Sequence, residues 1–136
     1  MSLETVSLSG RVAIVTGAAM GMGAATAKLF AARGAKVIVA DVNAEAGEST
    51  VAAIEAEGGE ARFVRCDVSD EASVSALVAS TVEAYGRLDC AVNNAAITPD
   101  NLPIAEADME RWDRVMSVDL RGVMLCMKYE IRQMMA

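Results

Sequence analysis

Three glycines, Gly17, Gly21 and Gly23, stand where the apolar run from Val12 to Val15 passes into a helical pattern, in "VAIVTGAAMGMGAATAKLF". Glycine costs conformational entropy wherever it stands, so this cluster implies that something comes close to the backbone. The free N–H groups and positive dipole end of the next helix suit a phosphate. A Cβ there would block either a pyrophosphate or the packing of helix on strand. A tight turn with no ligand would use the same residues, and short glycine motifs also arise without function. The spacing is not G-x-G-x-x-G, since Ala18 and Ala19 fill the early positions, and no Gly-Lys-Ser/Thr comes after it to make a P-loop.

A second chemical signal comes from Asp41, which ends the next apolar run about 20 residues after the glycines. A carboxylate there accepts hydrogen bonds from both hydroxyls of an adenosine ribose and repels a 2′-phosphate. Neither "GAAMGMG" nor the position after Asp41 offers a Lys or Arg, so NAD is expected over NADP. Two further strand ends carry polar residues: Asp67 in "RCDVSD", suited to an adenine amino group, and Asn93 and Asn94 in "AVNNAA", suited to pinning loop backbone or ribose. Singly, each of these residue types is an ordinary turn former.

The elements that must position these residues alternate. Short apolar runs at Val12 to Val15, Val37 to Ala40, Arg62 to Val64 and Leu88 to Val92 lack in-out alternation, which suits parallel strands covered on both faces. Between them lie helical patterns. One has the stripe Gly47, Val51 and Ile54, with Asn43 as cap and Gly58-Gly59 as its end. The next begins at Ser69 or Asp70, carries Val74, Leu77, Val78, Thr81, Val82 and Tyr85, and stops at Gly86. A last helix is expected from about Asp108, with Met109, Trp112, Met116, Val123, Met127 and Ile131 along one face. The order β-α-β-α-β-α-β-loop-α predicts an α/β fold with a doubly wound parallel sheet, helices on both faces, and ligands beyond the C-terminal strand ends.

Composition removes other classes. The 136 residues are 54% hydrophobic and carry 12 basic against 19 acidic side chains, a net charge of -7. They are expected to form one domain over residues 1–136, with no nucleic-acid or anionic-membrane partner. Histidine is missing, which removes Ser-His-Asp and Cys-His nucleophile systems and most zinc sites. Cys66, Cys90 and Cys126 are scattered and form no CxxC pair, so no metal site is expected and a reducing, cytoplasmic setting is. The polar start "MSLETVSLSG" lacks a signal-peptide core, and no apolar run is long enough to span a bilayer.

"TGAAMGMG" from Thr16 matches the TGxxxGxG motif of short-chain dehydrogenases/reductases, and "CDVSD", "NNAA" and "RVMSVDLRGV" fall where that family has its D-V, NNAG and V-N-L-x-G segments. The resemblance covers essentially the whole chain. It implies a Rossmann-type sheet and hydride transfer between a nicotinamide ring and a small secondary alcohol or ketone. By position, it places Gly17, Met20, Gly21 and Met22 along the pyrophosphate and Asp41 on the ribose. Asp67 and Val68 would meet the adenine, and Asn94, Ala95 and Ala96 would border the adenosine and nicotinamide side.

The departures from the family bear on activity. Its catalytic set is a Ser with a Tyr-x-x-x-Lys pair. Here Tyr129 is followed four residues on by Gln133, and Tyr85 by Asp89. The resemblance thus implies the cofactor half of a longer enzyme, one that ends after the helix following strand four. Asp119 in "SVDLRG" takes the place of an asparagine that joins a proton relay, and Ala96 replaces the glycine of NNAG. On the residues alone, Asp119 is either a candidate in that relay or an Asp bonded to nearby backbone. Six of the nine methionines lie between Met109 and Met135, an apolar surface expected to be buried by missing strands or by a partner chain, and the resemblance implies that this helix forms a homodimer or homotetramer contact. A non-catalytic NAD-binding module is the second reading. An S-adenosylmethionine-dependent methyltransferase, whose glycines cluster more tightly after an acidic residue, is a remote third.

Overall fold

The computed structural model describes residues 6–136. Its sheet has four parallel strands: β1 (Val12–Thr16), β2 (Lys36–Asp41), β3 (Glu60–Arg65) and β4 (Cys90–Asn93), in the order β3-β2-β1-β4. The chain moves outward from β1 to β3 and then crosses back to put β4 on the other side of β1. The strand order therefore reverses at β1, beside the glycine turn, as the sequence pattern predicts.

The helices are α1 (Gly21–Ala32), α2 (Ala44–Ala56), α3 (Glu71–Tyr85), α4 (Met109–Val115) and α5 (Gly122–Met134). They cover both faces of the sheet. Val15, Val37 and Val39 point to one core with Ala27, Ala31, Val51 and Ile54 of α1 and α2. Ile14, Ile38 and Ala40 point to the other, with Val74, Leu77 and Val78 of α3 and Leu125 and Cys126 of α5. This two-sided burial is why the central strands read as unbroken apolar runs.

The expected caps form. Asn43 accepts the Ala46 N–H at the start of α2, and Asp70 accepts the Ala72 N–H at the start of α3. Gly86 ends α3 at φ +80°, and its N–H bonds the Val82 carbonyl.

The last helix departs from expectation. It runs as α4, then a π-helical stretch (Met116–Arg121), then α5. A π turn holds more residues than an α turn and so rotates the rest of the helix about its axis. A single 3.6-residue stripe cannot describe the whole segment. The stripe read from sequence does not face the sheet: Met109, Trp112, Met116, Met127 and Ile131 are exposed. The sheet side is instead Val118, Gly122, Leu125, Cys126, Tyr129 and Glu130. Polar bonds fix this arrangement at the start of α3, where Glu71 Oε1 accepts from Lys128 (2.6 Å) and from the Tyr129 hydroxyl (3.0 Å).

Candidate functional site

The turn between β1 and α1 is built around Gly17 and Gly23. Gly17 sits at φ +64°, and a Cβ there would lie 2.8 Å from Ala95 Cα. A Cβ on Gly23 would overlap the Gly17 carbonyl oxygen and reach within 2.6 Å of Asn94 Nδ2. These two glycines let the turn, the first turn of α1 and the β4 loop close on one another. Gly21 differs: it is left-handed at φ +55°, and the space beside it is open. The N-cap Met20 makes no side-chain bond to α1, so among the described residues its first N–H groups have no side-chain acceptor.

Thr16, for which the motifs suggest no separate role, ties this turn to β4. It is 1% exposed, and its hydroxyl accepts the N–H groups of Asn94 (3.0 Å) and Ala95 (3.1 Å). The Asn94 amide returns two bonds, to the Thr16 carbonyl (3.1 Å) and the Gly17 carbonyl (3.2 Å). Asn94 therefore pins loop backbone, one of the two roles its position suggests.

Beyond the C-terminal strand ends lies a cleft of about 190 Å³ lined by Gly17, Asp41, Asp67, Val68, Ala95 and Ala96, with apolar walls from Val42, Ile97 and Val118. Six of the residues singled out by sequence thus meet in one place. The Asp41 carboxylate accepts from Ala19 N (3.1 Å) and Asn43 N (3.0 Å), which orients it at the end of β2. Asp67 Oδ1 accepts from the Ser69 hydroxyl (2.7 Å) and N–H (3.0 Å), and these bonds hold its carboxyl below the usual Asp range.

Others among those residues stand elsewhere. Met20 and Met22 are 64% and 81% exposed and do not line this cleft. Met20 and Gly21 line a wider, more open depression of about 650 Å³ between α1 and α2, together with Lys28 and Asn43. Asp119 sits in the π stretch, and its Oδ1 accepts the Ile97 N–H at 2.9 Å, so its carboxylate fastens the loop after β4.

One cleft residue had no signal in the turn motifs. Arg114, from α4, lines the same wall, and its charge lies near enough to Asp67 to favour the ionised carboxyl. It is 73 positions from Asp41 in the chain, so only the tertiary fold puts a cation here.

Residues 11–136 match the family model for short chain dehydrogenase. A 2,5-dichloro-2,5-cyclohexadiene-1,4-diol dehydrogenase of Sphingobium indicum is 51% identical over 127 residues, covering 93% of this chain and 50% of that protein. A cis-4-hydroxycyclohexanecarboxylate dehydrogenase of Sinomonas cyclohexanicum is 48% identical over 126 residues, with 93% and 50% covered. A metagenomic short-chain oxidoreductase solved in complex with NADP superposes with a TM-score of 0.89 at 34% identity, covering 95% of this chain and 58% of that one. The chain spans about half the length of the curated relatives it matches. With its strand order, glycine turn and strand-end residues, the chain belongs to the short-chain dehydrogenase/reductase family of oxidoreductases.

Proposed function

We propose that residues 1–136 are the dinucleotide-holding half of an NAD-dependent oxidoreductase that interconverts a secondary alcohol and a ketone. The observation that carries this reading is the cleft that Asp41 and Asp67 line together with Val42 and Val68, beside a glycine turn and an uncapped helix. The residues fit the dinucleotide. The N–H groups of Gly21 and Met22 would meet the pyrophosphate, with Gly17 and Met20 completing the turn. Asp41 would accept from the ribose hydroxyls. Val68 and Asp67 would hold the adenine, and Asn94, Ala95 and Ala96 would shape the path to the nicotinamide.

When bound, the nicotinamide ring supplies or takes up the hydride. The acid/base set of the family, a Ser with Tyr-x-x-x-Lys, is not among these 136 residues, so in this reading the half alone does not turn over. Asp119 is the one candidate here for the proton path, through its place at the family's Asn position. Its bond to Ile97 N leaves Oδ2 as the oxygen for that role. The exposed face of α4 and α5 would pair with a second copy, and a cytoplasmic setting suits its three free thiols.

NAD is preferred over NADP on charge. The Asp41 carboxylate stands where a 2′-phosphate would add a second negative charge, and Arg114 lies on the Asp67 side of the cleft. The test is titration of the full-length protein and its Asp41→Ala variant with NADH, NADPH and S-adenosylmethionine. NADH should bind tightest to the natural sequence. Asp41→Ala should weaken it by about tenfold or more, as loss of a charge-assisted bond does, while NADPH gains relative to NADH. An unchanged preference removes Asp41 from the site, and binding of S-adenosylmethionine alone sinks the reading.

A further inference from the structure

Glu130 on α5 is 3% exposed, a rare depth for a carboxyl, and nothing in the proposed chemistry uses it. Asn93 at the end of β4 donates through Nδ2 to its Oε2 at 2.8 Å. The other atom of each planar group, Glu130 Oε1 and Asn93 Oδ1, is buried with no hydrogen-bond partner among the described residues. Both orphans are acceptors if the acid is ionised, and a buried carboxylate with one hydrogen bond is costly. A single proton on Oε1 resolves both, because the new O–H would donate to Asn93 Oδ1. The titratable groups around it are Cys126 on its own helix and Cys66 just past β3. Both are thiols that burial pushes up, Cys126 to about 12. Burial likewise pushes the Glu130 carboxyl up, and among the described residues no cation is paired with it.

We propose that Glu130 is held as a neutral acid in a two-point pair with Asn93, Nδ2–H to Oε2 and Oε1–H to Oδ1, and that this pair positions the dinucleotide loop. Glu130 touches neither cleft nor ligand. It fixes Asn93, and the next two residues then bind the β1 turn. Asn94 holds the Thr16 and Gly17 carbonyls, and Asn94 N and Ala95 N meet the Thr16 hydroxyl. Through these bonds, a displaced β4 end displaces Gly17 and Ala95, which line the cleft. The positioning role rests on the dinucleotide reading above; the protonation does not.

Glutamine reproduces the proposed state, since its carbonyl accepts from Asn93 Nδ2 and its NH₂ donates to Oδ1. Leucine keeps similar bulk and breaks both bonds. In the full-length protein, the ¹³C carboxyl resonance of Glu130, assigned by its loss in Glu130→Gln, should report a protonated acid at neutral pH. Glu130→Gln should bind NADH as the natural protein does, and Glu130→Leu should bind about tenfold more weakly, the effect of one unmade buried bond. An ionised Glu130 at neutral pH overturns the proposal, as does Glu130→Gln weakening NADH. Unaltered NADH binding by a folded Glu130→Leu overturns the positioning role. Should Glu130→Leu not fold, the resonance and Glu130→Gln still decide. A natural protein that binds no dinucleotide while showing a protonated Glu130 refutes the functional reading and leaves the pair standing.

Discussion

Aspartates stand at both ends of the sheet, and the two ends use them differently. At the N-terminal end, Asp89 precedes β4 with only 9% of its side chain exposed. Its oxygens take the Val12 N–H (2.8 Å), Arg87 Nε (3.0 Å) and Arg11 Nη1 (3.3 Å). Burial works against its charge, but those donors outweigh it and hold the carboxyl below the usual Asp range. At the C-terminal end, Asp41 takes donors from the β1–α1 turn and from Asn43, Asp67 takes its donors from Ser69, and both line an open cleft. One end has its donors matched within the protein. The other has polar capacity left over, in a place where backbone N–H groups are also free. Parallel strands force this asymmetry, because all their carboxyl ends lie on one side and the loops that diverge there leave a gap.

The sharpest way to break the contrast is at the turn itself. Gly23→Ala puts a methyl into the Gly17 carbonyl and the Asn94 amide, neither of which is a flexible side-chain end free to move away. Overpacking of this kind costs about 3 kcal/mol of stability. Dinucleotide affinity should fall by more than about tenfold, since Gly17 and the first turn of α1 move apart. Chemical denaturation and NADH titration check both. A variant that binds normally would mean that the close approach of turn and helix is incidental to the site.

The site was legible from sequence to the extent that it is local. Gly17, Asp41, Asp67 and Asn94 each end or follow a strand, and the central strands β1 and β2 show as apolar runs because both faces are buried, whereas the edge strand β3 leaves Arg62 exposed. Asn43, Asp70 and Gly86 act at the helix ends beside them, where cap chemistry is decided by a few neighbours. Arg114 and Thr16 were missed for the opposite reason. Arg114 reaches the cleft only through the packing of α4, and Thr16 acts on residues 78 and 79 positions away. The α4–α5 segment misled because a π turn changes the period midway. Glu130 did leave a signal: it lies four residues after Cys126 and eight after Gly122, the spacing of one helix face, yet a Glu in that series reads as solvent-facing.

The closed end makes the control. Asp89→Ala strips the acceptor from the Val12 N–H and leaves Arg11 and Arg87 without their partner. A backbone donor left unmade at this depth costs about 1–2 kcal/mol. Denaturant midpoints should drop accordingly while NADH affinity stays within about twofold, because sites this far apart act independently. Loss of affinity equal to that of a cleft variant would erase the distinction between the two ends.

The smallest expected effect lies in Asp67, and its sign follows from its partners. The Ser69 hydroxyl, then the Ser69 N–H, hold its folded carboxyl below the ordinary value. The unfolded chain therefore binds this proton more readily than the folded one does. The stabilisation is fully present above the unfolded pKa, about 4 for Asp, and is lost as pH falls through the folded one. Ser69→Ala removes the larger cause, so the Asp67 midpoint should move upward and stability should fall slightly above about pH 5, the difference closing as pH drops through the Asp range. The loss persists at neutral pH, where the natural protein has the whole of this stabilisation, and vanishes where Asp67 is protonated in both states. NMR titration of the Asp67 carboxyl reads the shift. An unmoved midpoint would transfer its cause to Arg114 and Arg65, and would make the open end depend on long-range charge where the closed end depends on direct bonds.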